Sequence, residues 1–182
     1  QAREGLLPGQ EDAVDARDVT CVSLAGLVHD LGHGPFSHMF ENFLNRPGVR
    51  PAGAKKFDHE DMSAAILEHL LARNGIRLED YMGTSGPEAA EDLAFVQQLI
   101  HGLPPGEPMP AACGRPPSKR FLFEIVSNHR NGIDVDKIDY FLRDSSSAFG
   151  ESSPLIQVTR LIESSAAMVS ARTCRACWPV AR

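Results

Sequence analysis

The sequence predicts an all-α protein, and three observations carry that prediction. Apolar residues recur at helical spacing between clear start and stop signals, above all in 58–73 and 87–101. Strand-like alternation of polar and apolar residues is nearly absent. No internal repeat points to another architecture.

The elements follow in order. Residues 1–15, polar and rich in Gly, Pro and acid, read as a loose lead-in. Val19, Cys21, Val22, Leu24, Ala25, Leu27 and Val28 form a mostly buried helix, with Asp18 expected as its N-cap and Gly32 as its terminator. Gly34-Pro35 makes a turn, and a short helical piece from Phe36 to Leu44 places Phe36, Met39, Phe40 and Phe43 on one side. Residues 45–56 read as a loop. Asp58 caps a helix to about Arg73, with Met62, Ala65, Ile66, His69 and Leu70 as its apolar stripe and Asn74-Gly75 as its stop. A further helix runs from Pro87 to His101, followed by Gly102. Residues 102–118, with six prolines and three glycines, read as a loop without a core of its own. Phe121–Asn128 is expected to be helical, Asn131-Gly132 a turn, and Val135–Asp144 helical. Ser145-Ser146-Ser147 and Ser152-Ser153-Pro154 look like linkers. Within 151–182, Leu155–Val169 has the pattern of one more helix and Thr173–Arg182 has none.

With 182 residues, 42% of them hydrophobic and 23% charged, the chain has the make-up of one globular domain that buries a core without staples. Four cysteines are too few for a disulfide scaffold, and Cys21 inside an apolar run reads as a reduced, buried thiol in a reducing, intracellular compartment. Cys174 and Cys177 form a CxxC without a second ligand pair, which fits two unrelated thiols better than zinc. No stretch is long and apolar enough to span a bilayer, and Gln1-Ala2-Arg3-Glu4 does not resemble a signal peptide. A first residue other than Met suggests a partial chain. The net charge of −6, from 18 Lys+Arg against 24 Asp+Glu, repels a phosphate backbone and makes single-stranded nucleic acid the weaker candidate partner, despite a basic tail after Glu151. A small phosphorylated substrate is compatible, because a metal ion and a few local bases override the global field.

The chemically dense stretch is His29-Asp30-Leu31-Gly32-His33-Gly34-Pro35-Phe36-Ser37-His38. His29 and Asp30 end a buried helix, and a desolvated Asp needs a cation or several donors. A divalent metal (zinc, iron or manganese) held by both meets that need. A third ligand is expected from Asp134–Asp144, where Asp136, Tyr140 and Asp144 share a helix face at i, i+4 and i+8 with Lys137 and Arg143 flanking it. That face offers a carboxylate for metal, a phenol for a sugar or base edge, and cations for phosphate. The bland alternative is a solvated face, which accounts for Asp139 with Arg143. His59 opens a helix, where the dipole favours neutral imidazole suited to general acid–base work. His69, His101 and His129 lack companions and read as structural or surface residues.

The His29-Asp30 dipeptide in this setting resembles the HD metal-dependent phosphohydrolase superfamily of all-α helical bundles. The strings AGLVHDLGHGPFSHMFENF (25–43) and FLFEIVSNHRNGIDVDKIDYFLRD (121–144) are more specific: they are similar to the SAM- and HD-domain deoxynucleoside triphosphate triphosphohydrolases of vertebrates, and less closely to bacterial dGTPases. The likeness spans 16–150, with an insertion-prone stretch at 76–118. It implies hydrolysis of a dNTP to a deoxynucleoside and inorganic triphosphate. It also implies His29, Asp30 and Asp136 as metal ligands, and His33 and His38 as phosphate contacts. His59, His33 and Glu41 would be catalytic, Glu41 standing where the family has Asp. Lys137, Tyr140 and Asp144 would contact substrate, and Arg160 is a weak match to a base at an activator site. The resemblance further implies Mg with the nucleotide, GTP or dNTP activators, a homotetramer when intact, a nuclear location and a link to innate immunity. A fourth metal-ligating histidine, the N-terminal helices and the SAM domain of that family are expected outside this chain. Another HD-type nucleotide phosphohydrolase, or an inactive fragment acting by association, are the competing readings.

Overall fold

The computed structural model describes residues 13–150 and 157–164, and these residues form α-helices and 3₁₀ turns with no strand. They divide into two compact units. One holds 16–101 with 112–114; the other holds 13–15, 102–111, 115–150 and 157–164.

The first unit contains α1 (Ala16–Val28), α2 (His38–Leu44), α3 (His59–Asn74), α4 (Glu79–Met82) and α5 (Pro87–His101). Helix α5 is the hub, packed on by α1 and by α3. Its buried face is Phe95, Val96, Leu99 and Ile100, met by Cys21, Ala25 and Val28 of α1 and by Ala64 and Leu67 of α3. Cys21 is a buried free thiol, as its sequence setting suggested. The buried Asp92 of α5 accepts from Arg17 Nη2 at 2.9 Å and Nε at 3.3 Å, and from Thr84 Oγ1 at 3.2 Å. A buried carboxylate served by a guanidinium fork and a hydroxyl has its charge matched and its lone pairs filled.

One departure from expectation concerns the start of α1. Asp18 is not the cap of α1: the helix already starts at Ala16, and Asp18 lies fully buried inside its first turn. At the start of the helix Thr20 Oγ1 donates to the Ala16 carbonyl at 2.8 Å. A second departure concerns α3. Its buried residues are Ser63, Ala64 and Leu67, whereas Met62 and Leu70 are exposed, so the inward face is turned by roughly one residue, about 100°. The reason is polar, since the Ser63 hydroxyl is needed against the end of α1. The stop and start of α3 match the sequence: Asp58 Oδ1 accepts from the backbone of Glu60 at 2.9 Å and Asp61 at 3.1 Å, and Gly75 takes φ 63°.

Helix α4 was not foreseen. The segment 102–118 is less loose than its prolines suggest, because 3₁₀ turns form at Ala111–Cys113 and Pro117–Leu122 and Cys113 is fully buried. Helix α2 buries no residue completely, and Phe36, Met39 and Phe43 stay exposed.

In the second unit the Pro117–Leu122 turn leads into α6 (Phe123–Val126), which contacts α7 (Val135–Phe149). Leu122, Phe123 and Val126 are buried. The α6–α7 connection is built from local side-chain bonds: Asn128 Oδ1 accepts from the Arg130 and Asn131 amides, and Gly132 takes φ 66°. Asp134 caps α7, accepting from the Lys137 amide at 3.0 Å, while its other oxygen accepts from the Asn128 amide at 3.0 Å. Ser145-Ser146-Ser147 is helix rather than linker. Ser147 Oγ donates to the Arg143 carbonyl at 2.9 Å, the back-bond that lets serine sit in a helix, and Ser145 is buried. Helix α8 (Val158–Glu163) lies inside the helix expected at 155–169. The rest of that expectation, Ser152–Pro154, the CxxC cysteines and most of the lead-in fall outside the described residues.

Candidate active site in the first unit

The turn after α1 carries the histidines, and glycine makes its position possible. A Cβ on Gly32 would meet the His59 carbonyl oxygen at 2.0 Å and the Ser63 nitrogen at 2.6 Å, both backbone atoms of α3. Gly32 therefore does not terminate α1, which ends at Val28; it lets the turn press on α3. The contact is locked by polar groups: the Gly32 amide donates to Ser63 Oγ at 2.8 Å, and Ser63 Oγ donates to the His29 carbonyl at 2.5 Å. Gly34 lies beneath the Phe40 ring, where a Cβ would come within 2.1 Å, and Phe40 stands edge-on to Phe57. Phe36 and Ser37 adopt φ 65° and 51°, a left-handed conformation that costs about 1–3 kcal/mol per non-glycine residue. Strain of this kind is concentrated where the turn delivers His33 on one side and His38 on the other.

His29 Nδ1 lies 2.7 Å from the Gly26 carbonyl oxygen. A carbonyl only accepts, so Nδ1 carries the proton and the lone pair of a neutral imidazole is left on Nε2. That nitrogen faces Asp30 Oδ1 at 3.3 Å. Asp30 stays half-exposed rather than desolvated, and either a proton on Nε2 or a metal cation would satisfy the facing lone pairs. The backbone bond at the distal nitrogen is the arrangement that orients a metal-binding histidine, so the His29–Asp30 pair fits a divalent cation. Asp30 Oδ1 also lies 3.5 Å from His33 Nε2.

The next layer is a dyad. His59 Nδ1 and Glu41 Oε2 are 2.8 Å apart, both side chains largely buried. The extra methylene of Glu41 does not prevent contact. The loop between α2 and α3 is closed at its base by Asn45, whose Oδ1 accepts from the Phe57 amide and whose Nδ2 donates to the Phe57 carbonyl, each at 2.8 Å. This brace sets α2 and the start of α3, hence Glu41 and His59, at a fixed separation. The His33 ring stacks on His59 with centroids 4.0 Å apart and planes 7° from parallel. His38 approaches both edge-on, at 4.8 Å and 5.2 Å. Burial, reinforced by the neighbouring His59, holds His33 below the ordinary histidine pKa, and its buried Nδ1 has no hydrogen-bond partner.

His29, Asp30, His33, His38, Glu41 and His59 thus converge within one unit. Asp136, Lys137, Tyr140 and Asp144 belong to the other, where the unbroken α7 gives Asp136, Tyr140 and Asp144 a common face. Tyr140 packs on Phe141 at 4.8 Å, and the anticipated Asp139–Arg143 pair forms at 2.9 Å on an exposed surface. Arg160 stands exposed on α8. The residue that sequence reasoning passed over is His101. Its Nδ1 lies 3.4 Å from Glu60 Oε2 and its Nε2 3.7 Å from Asp61 Oδ1. Its hydrogen bond with Glu60 raises its pKa, with the charges of Glu60, Asp61 and Asp58 adding to the effect against partial burial. The only local signal was a histidine in the last turn of a helix; the acids it meets are some forty residues away.

The HD domain family model matches residues 7–144. The chain is 48% identical over 139 residues to deoxynucleoside triphosphate triphosphohydrolase SAMHD1 of Bos taurus, an overlap of 72% of this chain and 22% of that protein. The Homo sapiens protein of the same name is 49% identical over 139 residues, covering 72% and 21%. A putative HD domain-containing protein, L394, of Acanthamoeba polyphaga mimivirus is 30% identical over 146 residues, covering 79% and 26%. The chain spans between a fifth and about a quarter of the length of these relatives. Helical architecture, a His-Asp pair just after α1 (which buries one face and leaves Val19 and Leu27 exposed) and a family match over most of the sequence agree: the chain belongs to the HD domain family.

Proposed function

We propose that this domain hydrolyses deoxynucleoside triphosphates, in the dGTPase manner, to a deoxynucleoside and inorganic triphosphate. The observation that carries the reading is the juxtaposition of the His29–Asp30 pair with the Glu41–His59 dyad, bridged by His33 at 3.5 Å from Asp30 and stacked at 4.0 Å on His59. The activity for which the SAMHD1 relatives are named supplies the substrate class.

When bound, a divalent cation (zinc, iron or manganese) at His29 and Asp30 supplies Lewis-acid polarisation of the α-phosphate. Asp136 joins as a ligand through the family resemblance. Water attacks the α-phosphorus, the bond from phosphorus to the 5′ oxygen breaks, and that oxygen needs a proton. Glu41 accepts from His59 Nδ1 and stabilises the imidazolium, so His59 Nε2 is placed to donate that proton. His33, kept neutral by burial and by its stacking partner, presents a nitrogen to phosphate oxygens, and His38 does so from the exposed side. Lys137, Tyr140 and Asp144 serve phosphate and sugar in the same proposal. Mg with the nucleotide, GTP or dNTP activators with Arg160 among their contacts, a homotetramer and a nuclear location complete it.

Incubation with dGTP should release deoxyguanosine and triphosphate; dGMP with pyrophosphate would overturn the reaction assignment. Elemental analysis should find divalent metal that both Asp30→Asn and Asp136→Ala reduce.

A further inference from the structure

His101 ends α5, where unpaired carbonyls and the negative end of the helix dipole favour a cation. Glu60 and Asp61 occupy the first turn of α3, where the opposite end favours anions. The two ring nitrogens of His101 face these consecutive carboxylates at 3.4 Å and 3.7 Å. A neutral imidazole has one N–H and cannot donate in both directions; only the imidazolium can. The two ends of the link differ in firmness. Helix α5 is anchored by Phe95, Val96, Leu99 and Ile100 in the core, whereas the first turn of α3 emerges from a loop braced by Asn45 at its base. His59 is the first residue of that turn and precedes Glu60 directly.

We propose that His101 is a positioning residue for His59: as an imidazolium it pins the first turn of α3 to the last turn of α5 through Glu60 and Asp61, and so keeps His59 in register with Glu41. The proposal rests on the catalytic reading of His59 only for its effect on turnover. Groups facing His101 include Glu60 and Asp61, with the capping Asp58 behind them; Lys55 shares Asp61 from the loop side. These acids raise the affinity of His101 for its proton above that of a free imidazole, so the link holds to higher pH than an unpaired histidine would allow and opens when His101 deprotonates.

The test follows the His59 Nδ1 proton by NMR in the histidine-labelled 182-residue chain, with Glu41→Gln to identify the resonance. His101→Gln should broaden or abolish the signal, and His101→Lys, which restores the cation, should recover it. An unchanged signal in His101→Gln would overturn the proposal. Should His101→Gln fail to fold, the wild-type titration decides: the His59 signal must weaken in step with His101 deprotonation read at its own ring carbon, and independence of the two refutes the link. In turnover, kcat for dGTP should fall by about 10- to 100-fold in His101→Gln with little change in KM, and return in His101→Lys. A positive NMR result without dGTP hydrolysis in the wild type would sink the substrate reading and leave the positioning role standing.

Discussion

Gly32→Ala probes the contact on which the site is built. The added Cβ would stand 2.0 Å from the His59 carbonyl oxygen, 2.6 Å from the Ser63 nitrogen and 2.8 Å from Met62 Cβ. Two of these atoms are helix backbone, so no side-chain rotation relieves the clash. Bringing the nearest atom out to ordinary contact at 3.4 Å moves turn and helix apart by 1.4 Å, the difference between 3.4 Å and 2.0 Å. The Gly32 amide, 2.8 Å from Ser63 Oγ, then loses its acceptor. Overpacking costs about 1–3 kcal/mol, and an orphaned buried N–H costs about another 1–3 kcal/mol. The expected loss is therefore about 2–6 kcal/mol, a large share of the roughly 5–15 kcal/mol that holds a domain together. Urea unfolding followed by far-UV circular dichroism measures it, with Ser63→Ala as the comparison that removes the hydrogen bond without the clash. Ser63→Ala should lose about 1–3 kcal/mol. A Gly32→Ala midpoint equal to wild type, or a Ser63→Ala variant less stable than Gly32→Ala, would refute the steric argument.

Other perturbations test separate parts of the structure. Asp92→Ala removes the acceptor of Arg17 and Thr84, although Arg17 stays partly exposed and keeps Glu88 at 3.9 Å, and it should destabilise the chain by about 1–3 kcal/mol in the same unfolding assay. Glu41→Gln keeps the reach to His59 but removes the negative charge that stabilises its imidazolium, and dGTP turnover should drop by about 100-fold. The depressed pKa of His33 means that the unfolded chain takes up a proton near pH 6.5 while the native site resists it. Stability should accordingly fall as pH drops below about 6.5, and His33→Gln should flatten that acid limb. His101 has the opposite sign: its raised pKa adds stability that is complete below about pH 6.5 and is lost as pH rises through the folded value, so His101→Gln should flatten the neutral-to-alkaline limb.

Much of this protein was legible in local sequence because the forces involved are local. Asp58 and Gly75 bound α3, Pro87 opens α5 and Asn131-Gly132 turns the chain through interactions that span four residues or fewer. The His29–Asp30 pair was legible for the same reason, as adjacent residues at the end of an apolar helix. Where the reading went astray, a distant partner outweighed the local preference. That Asp18 is buried could not be seen from its neighbours in sequence, and the face of α3 could not be chosen without the demand for Ser63 at the end of α1. Periodicity alone selected Met62 and Leu70, because it weighs apolar surface and has no knowledge of one hydroxyl satisfying two backbone groups.

The site shows the same division. Residue types and spacing determined the helical class and the family, and they singled out the candidate histidines and acids. Tertiary structure decided that Glu41 meets His59 at 2.8 Å, that His33 stacks on His59, and that His101 meets Glu60 and Asp61. The physical reason is that the strength of a charge or a hydrogen bond depends on burial and on angstrom-scale geometry. Both are set by which helices pack together, and neither is written in the neighbourhood of any single residue.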